Sequence, residues 1–308
     1  MRGPIVWAFG AIAVALLLAA IALWIAVKWH GPAVLDTIDR IAGPARSVER
    51  VHRERIGQDP AQKVMVFRET GAEGTLPVVI FVHGGSWSSG DPDDYGFIAR
   101  NLAPEGFVVV LAGYRLGEAG RYPVMLRDTA SAVSWTQTNI ARFGGDPARI
   151  VLAGHSAGAY NVAQIALDSR WLNEADAGRD RLRGIVGLSG PYDFYPFNSD
   201  SSRAAFASVG AGPDSQPVNH VGSDAPPFLL VHGEGDTIVK PRNARALAER
   251  LASAGSPADT LLLPRASHNT PLLALAYPWR RDPQVFDTVV GFMHRVTRVS
   301  VPVQGNRP

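Results

Sequence analysis

Residues 150–158 read Ile150-Val151-Leu152-Ala153-Gly154-His155-Ser156-Ala157-Gly158. The first four are apolar without alternation, as in a strand buried on both faces. The stretch that follows, Ala157–Leu167, has helical spacing, with Val162, Ile165 and Ala166 on one face. Between them sits Gly-x-Ser-x-Gly. At a sharp strand-to-helix turn a serine hydroxyl is pushed out of the sheet edge, and only small flanking residues let so strained a turn close. The helix start then offers the Ala157 N–H and a positive dipole end to a developing anion. With 31 glycines in 308 residues, the pattern alone is a weak signal. Its strand–turn–helix setting carries the weight; the alternative is a glycine-rich turn with an idle serine.

Working outward, strands and helices alternate. Val64–Phe67, Leu76–Val82, Phe107–Leu111, Gly184–Leu188, Pro227–Val231 and Thr260–Leu263 read as further strands. Asp91–Leu102, the Leu126, Ala130, Val133, Ile140 series ended by Gly144-Gly145, Asn243–Ala254 and Gln284–Val296 read as helices. This alternation predicts a mostly parallel sheet flanked by helices, the α/β class. Nothing from 63 to 300 reads as a linker, so one catalytic domain is expected there, with 301–308 as a tail. Residues 31–62 read as a polar, Arg-rich connector or cap segment, partly helical around 33–53.

Three more points carry chemistry. His83-Gly84-Gly85-Ser86-Trp87 follows the strand Leu76–Val82. A Gly-Gly turn bares its amides, and acyl transfer needs N–H donors aimed at the carbonyl oxygen as it becomes an oxyanion. The expected donors are Gly85, Ser86 and Ala157, with His83 bracing the loop; a plain turn is the alternative. Asp236 lies on the loop after Pro227–Val231, where a carboxylate can orient a histidine. Glu234, two residues nearer the strand, is its rival. His268 follows the last strand and precedes the last long helix. Among the eight histidines it alone completes the chain order Ser156…Asp236…His268 on loops at one sheet edge.

Together these four points resemble the α/β-hydrolase superfamily, and more narrowly its carboxylesterase branch with an H-G-G-x-W oxyanion loop, related to hormone-sensitive-lipase-like esterases and kynurenine formamidases. The resemblance covers about 63–298. Tyr114-Arg115, Gly144-Gly145-Asp146-Pro147 and Gly190-Pro191-Tyr192-Asp193 support it; by family analogy these are structural, and Asp193 is the main carboxylate decoy. Ser86 departs from the third glycine of many relatives but keeps an amide. The resemblance implies an α/β-hydrolase fold and a serine hydrolase acting on small-molecule carboxylic esters through an acyl-enzyme, with no cofactor and no metal. The competing readings are an arylformamidase-type amidase on the same residues and a non-catalytic binding protein on the same scaffold.

Composition narrows the field further. Hydrophobic residues make up 46% and charged residues 19%, globular values that exclude a disordered chain. A net charge of +2 is too balanced for a nucleic-acid partner. With no cysteine, disulfides, thiolate nucleophiles and Cys-ligated metals are excluded. Residues 1–30 stand apart. From Ile5 to Val27 there is no charged residue, and Trp7, Trp24 and Trp29 flank the run. Such a run spans about 30 Å of hydrocarbon. It predicts a single transmembrane helix that anchors the chain in a lipid bilayer, with the membrane side open; a cleaved signal peptide is the alternative. Residues 31–62, together with Phe194–Pro226, are expected to roof the pocket.

Overall fold

The computed structural model describes residues 17–18, 21, 26, 30–44, 47–208, 211–256, 258–281 and 283–298. Eight strands form one sheet: Val48–Arg55 (β1), Lys63–Glu69 (β2), Leu76–Val82 (β3), Val108–Ala112 (β4), Gly145–His155 (β5), Leu182–Leu188 (β6), Phe228–Gly233 (β7) and Ala258–Leu263 (β8). Their order is β1-β2-β4-β3-β5-β6-β7-β8. β2 is antiparallel to both of its neighbours, and every pairing from β4 through β8 is parallel. From β3 the chain crosses to β4 on one side, and from β5 to β6 on the other. The loops after β3 and β5 therefore diverge, leaving a crevice at the carboxyl ends of the strands.

The apolar runs without alternation predicted strands covered on both sides, and the sheet is covered so. Val78, Ile80 and Val82 join the core on one face, together with residues of the helices Val124–Asn139 (α3), Ala157–Leu167 (α4) and Arg242–Ser253 (α7). Val79 and Phe81 join the core on the other, with the helix over 30–42 (α1), Gly96–Leu102 (α2) and Gln284–Thr297 (α9). Three shorter helices are Arg170–Glu174 (α5), Asp200–Ala205 (α6) and Thr270–Leu273 (α8).

The expected connector over 31–62 is corrected. Helix runs over 30–42, and Val48–Arg55 then enters the sheet as its edge strand β1. The strand was hidden for a physical reason. None of its residues is fully buried, and its pairing register shifts between Arg50 and His52, so no period of two survives. Its charges suit an edge, where exposed backbone groups would otherwise pair with another chain. α1 is docked by buried carboxylates. Asp39 accepts hydrogen bonds from Arg100 Nε (2.9 Å), Asn101 Nδ2 (2.8 Å) and the Tyr277 amide (2.8 Å), and Asp36 accepts from Arg100 Nη2 (2.8 Å). The expected transmembrane run, 5–27, lies almost wholly outside the described residues, as does the tail 301–308. Among the described residues no helix is long and apolar enough to cross a membrane.

Candidate active site

β5 delivers Ser156 to the crevice on a backbone of φ 54° and ψ −120°, a conformation that L-residues rarely adopt. The small neighbours are needed because α4 starts hard against β3. A Cβ on Gly158 would lie 2.1 Å from the Val82 carbonyl oxygen and 2.5 Å from that of His83. The Ser156 amide donates to the Leu188 carbonyl (2.8 Å), which ties the turn to β6.

Two loops bring the partners. The one after β7 carries Asp236 and the one after β8 carries His268. The Gly235 amide donates to the Ala266 carbonyl at 3.0 Å, stitching them together. His268 Nε2 lies 2.9 Å from Ser156 Oγ, and His268 Nδ1 lies 2.7 Å from Asp236 Oδ2. All three side chains are buried. Asp236 Oδ1 accepts from the amides of Ile238 (2.8 Å) and Val239 (3.0 Å). Burial alone would raise the Asp236 pKa. Hydrogen bonds from His232 and His268, the His268 charge and the Val239 amide outweigh it and hold this carboxyl well below the usual carboxylate range. Asp236 is thus a charged acceptor throughout the neutral range. The rival Glu234 is paired with Arg245 at 2.5 Å, and Asp193 with Arg242 at 3.1 Å; neither reaches His268.

Two further histidines support the site, and sequence reasoning missed both roles. His232 Nε2 lies 3.2 Å from Asp236 Oδ2 and 2.9 Å from the Val239 carbonyl, so its N–H is shared between them. Its position four residues before the acid was the only available signal. His155 Nε2 lies 3.2 Å from the His268 carbonyl, with ring centroids 5.0 Å apart. Burial pushes the His155 pKa down to about 3, so it stays neutral and donates there without adding charge beside His268.

The loop after β3 faces this group. Gly85, Ser86 and Trp87 hold φ of 117°, 53° and 58°, and Gly85 takes the value that side chains resist most. His83 braces the loop as expected. It stacks on Tyr114 at 4.6 Å, its Nδ1 lies 2.7 Å from the Gly84 carbonyl, and the Tyr114 hydroxyl donates to the His83 carbonyl at 3.1 Å. Ser86, Ala157 and Ser156 line one cavity of about 200 Å³; Gly85 is not among its lining residues. Trp87 forms a wall, anchored by Nε1 to Asn161 Oδ1 at 3.2 Å and stacked on Phe194 at 6.0 Å. Of the two segments expected to roof the pocket, Phe194–Pro226 supplies Phe194 and Ser199. None of the described residues of 31–62 lines it, because α1 and β1 lie elsewhere in the sheet and its cover.

A serine hydrogen-bonded to an imidazole, itself bonded to a buried carboxylate, can lose its proton as it attacks an electrophile. The BD-FAE family model matches residues 65–251, more than half of the chain. Esterase LipC of Mycobacterium tuberculosis is 33% identical over 81% of this chain and 66% of its own length. The isoprenylcysteine alpha-carbonyl methylesterase ICME of Arabidopsis thaliana is 27% identical over 77% of this chain and 60% of its own. The chain thus spans 60–66% of these two relatives. Esterase B from Lactobacillus rhamnosis superposes with a TM-score of 0.73 at 19% identity, covering 93% of this chain and 96% of that one. That likeness establishes the α/β-hydrolase fold. The order of the sheet and the family match over 65–251 place the chain in the BD-FAE family, a carboxylesterase family of α/β-hydrolases.

Proposed function

We propose that the chain hydrolyses carboxylic esters through an acyl-enzyme. The observation that carries this reading is the unbroken hydrogen-bonded series Ser156–His268–Asp236 opening on a cavity. Ser156 Oγ attacks the acyl carbon while His268 Nε2 takes its proton. Asp236 holds the imidazole in the tautomer with the proton on Nδ1 and stabilises the imidazolium that forms. The amides of Gly85, Ser86 and Ala157 receive the oxyanion. His268 returns the proton to the alkoxide as the C–O bond breaks, then activates water to release the acid. A lost oxyanion donor typically costs about 2.7–4 kcal/mol of transition-state stabilisation. Ester hydrolysis is favoured over the formamide reading by the relatives, which are named as esterases.

Ser156→Ala tests the assignment. Turnover on a short-chain ester should fall at least about 10³-fold with the melting temperature retained. Near-normal turnover would remove Ser156 from the mechanism. We also propose that the uncharged run Ile5–Val27 anchors the chain in a bilayer. The full-length protein should then stay in membranes through carbonate and high salt. Release by salt alone would indicate surface adsorption, and a mature N-terminus near residue 30 would indicate a cleaved leader.

A further inference from the structure

The Asp236 loop does more than carry the acid. It continues through Lys240 into α7, and both Lys240 and Arg242 line the same cavity as Ser156. The loop backbone is firmly held there. Asp236 Oδ1 accepts from the Ile238 and Val239 amides, and the Lys240 carbonyl accepts from the Asn243 amide and from Asn243 Nδ2, both at 3.0 Å. Arg242 is balanced by Asp193 at 3.1 Å. Lys240 is exposed and has no ion pair among the described residues. No carboxylate lines the cavity among the described residues; the facing segment offers the hydroxyls of Ser199 and Ser201 instead. One uncompensated positive charge therefore stands at the edge of a pocket whose inner wall, Trp87 and Phe194, is apolar. A cation beside such a wall acts on a ligand charge more strongly than one in open water.

We propose that Lys240 selects esters that carry a carboxylate a few atoms from the scissile bond. This rests on the ester-hydrolase reading above and specifies its substrate class. An exposed single charge is worth about a two- to fivefold effect. Partial enclosure should bring the preference to about three- to tenfold in kcat/KM, expressed chiefly in KM because the charge lies away from the reacting bond.

The test uses the full chain and two pairs of near-isosteric esters. Monoethyl succinate against ethyl succinamate places the charge on the acyl side, and 4-acetoxybenzoate against 4-acetoxybenzamide places it on the alcohol side. In at least one pair the charged ester should be preferred about three- to tenfold. That preference should shrink in 1 M salt, where the Debye length falls to about 3 Å. The preferred pair identifies the side on which the anion sits. In Lys240→Met the ratio should approach one, and in Lys240→Glu it should invert, with melting temperatures retained in both. Equal kcat/KM within both pairs, or a preference unmoved by Lys240→Glu, would overturn the charge selection and leave the esterase reading standing. Absence of hydrolysis of all four esters, with no Ser156-dependent labelling by a fluorophosphonate, would overturn both.

Discussion

At the scale of single residues, the decisive contrast is between two carboxylates two positions apart. Asp236 Oδ2 accepts a hydrogen bond from His268 Nδ1 at 2.7 Å, whereas Glu234 is turned outward onto Arg245. Asp236→Asn should reduce kcat by about 10⁴-fold, because an amide in that place favours the wrong imidazole tautomer. Glu234→Gln should stay within a few-fold, and steady-state kinetics on one short ester decides between them; the reverse ranking would transfer the acid role to Glu234. Ser156, Asp236 and His268 can be picked out in the sequence because each falls on a loop after a strand, in the order serine, acid, histidine; that order leaves Glu234 open beside Asp236, which is favoured only by the likeness of the following Thr237-Ile238-Val239 to a known loop. His232 was not legible in the same way. Its N–H is shared by Asp236 and the Val239 carbonyl only once the loop has folded, and spacing does not distinguish that from packing in a strand.

At the scale of elements, the elbow depends on how closely α4 starts against β3. Any Cβ at Gly158 meets backbone oxygen at 2.1 Å, and backbone yields less readily than a side chain. Overpacking of this kind costs about 1–3 kcal/mol or more. At about 2 °C per kcal/mol in a chain of this size, that lowers Tm by roughly 2–6 °C or more. Gly158→Ala should therefore lose stability and turnover together. Gly291 in α9 is the control, since nothing lies within 4 Å of the Cβ it lacks. Gly291→Ala should raise Tm by about 2 °C through helix propensity, and a fall there as large as that for Gly158→Ala would remove the close-approach argument. The central elements were readable because apolar runs such as Leu76–Val82 and Val108–Ala112 are covered on both faces. β1 was not, since an edge strand with a shifted register has neither buried residues nor a period to betray it.

At the scale of the whole molecule, the protonation of buried side chains sets the pH range of stability. His83 and His155 sit in the loops after β3 and at the end of β5, and burial pushes their pKa values down from 6.5 to about 4 and about 3. In each case the unfolded chain binds a proton more readily than the folded one. Their contribution is therefore complete above the unfolded value of 6.5 and is lost as pH falls through 4 and then 3. Asp236 acts in the same direction at lower pH: its folded pKa is depressed, so its stabilisation is present above 3.8 and fades below it. None of the three opposes the others. Each histidine amounts to on the order of 3 kcal/mol once fully titrated, against a total of about 5–15 kcal/mol for an ordinary domain. The melting temperature should hold steady from pH 8 to about pH 7, fall progressively from about pH 6.5, and collapse by about pH 4. Differential scanning calorimetry across that range reads it directly. A melting temperature that rose on acidification from pH 7 to pH 5 would mean that at least one of these imidazoles is charged in the folded protein. The neutral, donating roles assigned to His83 against the Gly84 carbonyl and to His155 against the His268 carbonyl would then have to be abandoned.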